Sequence, residues 1–242
     1  MPGTAFSLSP QTKGNKMKKT GTKEKLKKIS GVAMFSAIAY IVTFAFHFKV
    51  GDFLTFDVKD AVFAICGMVF GPLSAIVSSF AVSLLEMVTL SGTGPYGALM
   101  NFASSASFAF FASLIYKYRR NYSGAIIGLV TSVFGMAAVM MGMNLIVTPY
   151  YTGMSASDVA GMIPTLLLPF NLTKAVLNAG LALLLYKPVS TALRAAKLTP
   201  PAENAKVKPL LTVLSTVAAL LIIAAAVLYF IFVLKGQFSL GR

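Results

Sequence analysis

Apolar residues fall along this chain in runs of close to helical-span length, separated by short polar or Gly/Pro-containing segments. The runs predict seven hydrophobic helices: Ile29 to Phe46, Lys59 to Phe70, Leu73 to Leu90, Gly97 to Tyr116, Gly124 to Val147, Pro164 to Tyr186 and Leu210 to Leu234. Most approach the roughly 20 apolar residues that cross a hydrocarbon core of about 30 Å, although the second is short. Gly71 and Pro72 break the pattern after it and predict a tight turn into the third. Gly92 to Gly97, reading GTGPYG, predicts the next turn. Pro149, Tyr150, Tyr151 and Gly153 predict the opening of a longer loop that holds Asp158, and Pro188 to Lys208 a polar linker. The fold class is therefore an all-α integral membrane protein, because a spanning helix satisfies its backbone polar groups internally.

Composition agrees: 57% of the 242 residues are hydrophobic and only 12% are charged, about half the charged share of a soluble domain. The formal charge of +14 does not point to nucleic acid, since the basic residues sit between or outside the spans rather than along a folded face. They report topology instead. With the N-terminus in the cytoplasm, inner segments hold eight tail lysines between Lys13 and Lys28, then Lys117, Arg119 and Arg120, then Lys187, Arg194, Lys197, Lys206 and Lys208. That is sixteen of the 21 Lys and Arg, the asymmetry expected of cytoplasmic loops. Lys49, Lys59, Lys235 and Arg242 fall outside, Lys174 falls within a span, and Asp52, Asp57 and Asp60 fall in or beside the first external loop. The Lys-rich N-terminus reads as a solvated tail. Ile29 to Phe46 is longer than a signal-peptide core and has no convincing small-residue cleavage site. Met1 to Asn15 differs in character from the segment starting at Met17 and reads as either an appended leader or a natural tail. Cys66 and His47 are each solitary, so neither a disulfide framework nor a metal site is encoded.

Polar residues within spans are costly and mark where function is to be sought. In PFNLTK and the residues after it, Asn171, Lys174 and Asn178 are spaced i, i+3 and i+7, which places them on one helix face. Either that face meets a ligand, or the two asparagines tie helices together while Lys174 snorkels outward over roughly 8 Å. Asn144, in MNLIVTPYY, and Asn101, in MNFASS, lie towards the outer side. Each can donate and accept at once, which suits a polar heterocycle, and each alone also suits an interhelical tie. Glu86, near the outer end of its span, pairs with Lys174 or reaches interfacial water.

In the first external loop, VGDFLTFDVKD, Leu54 and Phe56 are candidates to lie over a ligand as a lid. For Asp57 the plain alternative is a cap on the second helix, with Asp60 favoured in its first turn by the helix dipole. Ala33 and Ala37, with Ser36 alongside, form a small-residue stripe suited either to packing within the bundle or to docking a partner. There is no GxxxxGK[ST] loop, no HExxH and no nucleophile with a positioned base. Neither ATP hydrolysis nor other enzymatic chemistry is predicted, and no catalytic cofactor.

Together FLTFDVKD, FGP at Phe70 to Pro72, TGPYG followed by MNFASS, MNLIVTPYY and PFNLTK resemble the riboflavin-specific substrate-binding subunits of energy-coupling factor (ECF) vitamin transporters. The likeness runs from Ile29 to about Pro188, with PFNLTK and MNLIVTP its most specific parts. It implies a six-helix bundle over residues 29 to 188 that captures riboflavin from outside a bacterial cell, in a pocket under the loop joining the first two helices. It implies that Asn144, Asn171 and Lys174 hydrogen-bond the flavin; Asn101, Leu54, Phe56, Asp57, Tyr96 and Gly97 complete the candidate substrate-binding set. It further implies that Ala33 and Ala37 dock on a transmembrane coupling subunit that carries two ATPases. The residues do not separate riboflavin from flavin mononucleotide, and another vitamin or a stand-alone secondary transporter are the competing readings. The departure from the family pattern is the additional C-terminal transmembrane helix, at 209 to 235, which comes after a polar linker at 189 to 208 and has no role legible in its residues.

Overall fold

The computed structural model describes residues 11–50, 53–90, 92–196, 198 and 209–232. Its elements run α1 (Gln11–Ala45), β1 (His47–Val50), β2 (Leu54–Asp57), α2 (Lys59–Phe70), α3 (Pro72–Thr89), α4 (Gly94–Tyr118), α5 (Tyr122–Thr152), α6 (Ala156–Met162), a π-helical turn (Ile163–Leu167), α7 (Leu168–Ala195) and α8 (Pro209–Phe232). Among the described residues, six helical stretches are long and apolar enough to cross a membrane: Thr22–Ala45, α3, α4, α5, Ala156–Ala195 and Val213–Phe232. The all-α membrane architecture expected from the sequence is thus present, with one addition: the first external loop pairs β1 with β2 as a small antiparallel hairpin, in the register His47↔Asp57 to Val50↔Leu54.

Several boundaries move outward, for related reasons. α1 continues back through the lysine-rich segment read as a tail, because Lys is a good helix former and the loss of apolar residues marks the membrane surface, not the end of the helix. α4 already contains Gly94 and Pro95 of the expected turn, with Pro tolerated at a helix start where its missing N–H is not needed. α5 runs through Pro149 and stops at Gly153, whose φ of 74° suits glycine and whose N–H bonds the Pro149 carbonyl. Asp158 lies not in a loop but in a capping box with Ser155 that starts α6. α7 carries on through Pro188 to Ala195, so the expected linker begins later, and most of it, 199–208, lies outside the described residues, as do 1–10 and 233–242.

The second predicted helix keeps its boundaries but not its environment. At 12 residues α2 is about 18 Å long, too short to cross. It is sheathed by protein, packing against α1, α3, α4 and α7, and every residue from Lys59 to Met68 is buried. Gly71 ends it at φ 97°, which a side chain would strain, and Pro72 starts α3 at once. The N-terminus of α2 therefore lies inside the bundle, where its first N–H groups need protein partners. Asp57 does not supply one: Val58 is the cap position and makes no side-chain bond. Asn178, from α7, does so instead. Its Oδ1 accepts from Ala61 N–H at 2.9 Å, and its Nδ2 donates to the carbonyls of Asp57 (3.1 Å) and Lys174 (3.0 Å).

The stripe at Ala33 and Ala37 is exposed. The bundle face of α1 is Gly31, Phe35, Ala39 and Thr43, each four residues on from the last and two residues, or about 200°, round from the alanines. Packing within this bundle is thereby excluded for Ala33 and Ala37. Ser36, between the two faces, bonds Ser78 of α3 at 2.7 Å.

Asn178→Ala should lower the stability of the detergent-solubilised protein by about 1–3 kcal/mol, because it orphans a buried N–H and carbonyl, and a thermal melt will read the drop.

Candidate functional site

Five side chains from five elements form one buried polar chain. Lys174 of α7 donates to Asp57 Oδ2 at 2.9 Å. Lys59, at the start of α2, stands 3.3 Å from the same oxygen and grips both oxygens of Glu86 of α3, at 2.8 and 2.6 Å. Asn101 of α4 donates to Glu86 Oε2 at 3.1 Å. Lys59 and Asp57 are 0% exposed and Lys174 3%. Asp60 stands apart and accepts from Ser105. Burial would raise the Asp57 carboxyl, but the Lys174 and Lys59 ammonium groups override it and hold the group at about 2.

Above this chain lies a hollow of about 260 Å³. The hairpin forms one side with His47, Phe53, Leu54 and Thr55. The α3–α4 connection contributes Leu90, Gly92 and Thr93, and α4 adds Gly97, Met100, Asn101 and Ser104. α5 supplies Met140, Asn144 and Tyr151; α7 supplies Phe170, Asn171 and Lys174; Glu86 completes the wall. Asn144 of α5 and Asn171 and Lys174 of α7, far apart in the sequence, share this one space. The π-helical turn just before α7 arises from Pro164 and Pro169, neither of which has an N–H to give the helical ladder.

The polar groups on the wall are held, not loose. Asn144 donates to Met140 O at 2.7 Å and accepts from Thr148 at 3.0 Å; Asn171 donates to Leu167 O at 2.7 Å. An amide has two N–H donors and two acceptor lone pairs, so each keeps capacity for a ligand. Two further atoms on the wall, His47 Nδ1 and Ser104 Oγ, are buried with no hydrogen-bond partner among the described residues. A buried polar atom without a partner is rare and marks a place where a ligand or solvent bonds. Burial lowers His47 below its ordinary value, outweighing the opposing Asp57 charge, so its imidazole is neutral near pH 7.

The expected site residues divide accordingly. Leu54, Gly97, Asn101, Asn144, Asn171 and Lys174 line the hollow. Asp57 lies behind the wall and holds Lys174; this excludes both the capping role and outward snorkelling of Lys174. Phe56 does not cover the hollow: it is buried in a second apolar cluster against Phe170 and Phe230. Tyr96, 43% exposed, stacks on Tyr151 at 6.0 Å, and it is Tyr151 that reaches the wall. Glu86 pairs with Lys59 and not with Lys174 or interfacial water. Asn178 is structural. His47, Ser104 and Tyr151 were not found from the sequence; a lone histidine beside the lid loop and a tyrosine in the loop-opening PYY were the only signals available.

Replacing Lys59 by Met strands Glu86 and should cost about 3–5 kcal/mol, whereas Lys59→Met with Glu86→Leu should cost clearly less than the two single changes added together. Chemical or thermal unfolding of the four proteins measures this coupling.

The chain and its fold have known relatives. Residues 27–189 match the family model described as "ECF transporter, substrate-specific component". The riboflavin transporter RibU of Staphylococcus aureus (strain TCH60) is 29% identical over 177 residues, covering 69% of this chain and 93% of that protein. The riboflavin transporter FmnP of Bacillus subtilis (strain 168) is 26% identical over 164 residues, covering 63% and 86%. Among solved structures, one described as the S component of a bacterial ECF transporter superposes with a TM-score of 0.61 at 30% identity, over 70% of this chain and 99% of that one.

Proposed function

Because the chain belongs to the substrate-specific components of ECF transporters, we propose that it captures riboflavin in the hollow beneath the hairpin, for uptake driven by partner subunits. It is a multi-pass membrane protein of a transport family and not an enzyme. The observation that carries the ligand reading is the convergence of Asn144, Asn171 and Lys174 on one wall faced by Phe53, Tyr151 and Phe170. A flat heterocycle has two apolar faces and a rim of carbonyl and nitrogen atoms, and a wall of rings with a few fixed polar groups is the complement of that shape. Lys174 donates to the flavin rim while Asp57 holds its position; Asn144 and Asn171 read both donors and acceptors.

The same reading orients the protein with its N-terminus in the cytoplasm of a bacterial cell and the hairpin outside, as the placement of basic residues favours. The exposed face at Ala33 and Ala37 is then the surface for the membrane-embedded coupling subunit, which in turn carries two ATPases. Small side chains there let a partner helix approach closely, and both alanines are exposed.

Titrating the detergent-purified protein with riboflavin should quench flavin fluorescence to saturation at a one-to-one ratio, with flavin mononucleotide titrated alongside to define the preference. Lys174→Ala and Asn171→Ala should each weaken binding, Lys174→Ala roughly 10- to 100-fold, the value of a hydrogen bond to a charged group. Unaltered affinity in both variants removes the hollow from the function. Ala37→Trp should leave riboflavin affinity unchanged yet reduce co-purification with the coupling subunit.

A further inference from the structure

The family match ends at residue 189, short of Pro209 where α8 begins, and the solved S component is covered over 99% of its length by only 70% of this chain. α8 is an addition to the matched bundle, and its seating is specific. It lies along α7 at Gly180, where a Cβ would stand 2.9 Å from Ile223 Cγ1 and 3.4 Å from the Ala219 carbonyl. Near one end Ser215 shares a hydrogen bond with the hydroxyl of Tyr122. Near the other, Phe230 is 3% exposed, while Phe232, two residues on, is 74% exposed.

The Phe230 ring lies 4.5 Å from that of Phe56 and 6.5 Å from that of Phe48, centroid to centroid. Phe48 and Phe56 are cross-strand partners, so a single ring from α8 braces both strands of the hairpin. Phe56 then meets Phe170 at 6.0 Å, and Phe170 and Leu54 form part of the hollow's wall. A lone two-stranded hairpin is marginal in stability, so what packs on it decides where it sits. Lys174 and Asn178 fix it at Asp57, at one end of the paired segment. Phe230 fixes its apolar face.

We propose that Phe230 is a positioning residue for ligand capture, and that α8 acts as a brace that holds the hairpin closed over the hollow. The inference rests on the riboflavin reading for its ligand but not for its mechanics. Loss of the ring loosens the hairpin, and ligand escapes faster, while the polar anchors that recognise it are untouched.

The test uses the full-length purified protein and two readouts: hydrogen–deuterium exchange of the β1 and β2 amides without ligand, and the rate of riboflavin dissociation after rapid dilution. Phe230→Ala should speed both, dissociation by roughly 2- to 10-fold, the value of an aromatic pair. Exchange in α4 should stay unchanged. Phe232→Ala, on the same helix but facing outward, should alter neither readout, and Phe230→Leu should keep most of the protection. Gly180→Leu pushes α8 away on the same face, at Ala219 and Ile223, without touching the hairpin, and should reproduce Phe230→Ala. Wild-type hairpin exchange in both Phe230→Ala and Gly180→Leu overturns the brace. If exchange rises in both but the wild type does not bind riboflavin, the brace stands and the ligand assignment fails; if riboflavin binds with exchange and dissociation unmoved, the reverse holds.

Discussion

Lys59 is the residue on which the arrangement turns. Placing an ammonium group wholly inside a membrane bundle is tolerable only if its charge is matched and its donors are used, and Asp57 and Glu86 do both. The consequence is geometric as much as energetic. Glu86 ties α3 to α2, Asp57 ties the hairpin to α2 and, through Lys174, to α7, and Asn101 adds α4. Elements far apart in sequence are thus pinned around one point directly beneath the hollow. A wall built on such a point presents its amides and rings in fixed positions, which is what a selective binding site needs.

Much of this was legible in the residues. Apolar run length decided the class, because the bilayer imposes a length on any helix that crosses it. The i, i+3, i+7 spacing put Asn171, Lys174 and Asn178 on one face, and all three do point inward. Their shared face did not reveal their different duties: Asn171 and Lys174 line the hollow, while Asn178 caps a neighbouring helix. Spacing tells where a side chain points, not what waits there.

The misses share a cause. Lys59 and Asp60 looked like the wet end of a helix because charges normally mark the membrane surface, yet α2 begins within the bundle. Phe56 looked like a lid residue because a short loop with alternating apolar positions has two faces and the sequence does not say which is covered; α8, at the far end of the chain, covers the one carrying Phe56. Tyr96 and Tyr151 are adjacent only in space. In each case the deciding contact is long-range, and no local pattern encodes it. α8 itself, apolar on nearly all sides, carried no hint in its own periodicity that it would seat against Gly180.

The π-helical turn at Ile163–Leu167 bears on how this chain can change over evolutionary time. It accommodates one residue more than regular winding would between the buried Val159 of α6 and the buried Phe170 of α7. Losing a single residue there would turn one helix by about 100° relative to the other, so that α6 and the face bearing Asn171 and Lys174 no longer both meet the bundle. Length is therefore a quantity selection must guard between α6 and α7, alongside the buried Leu167.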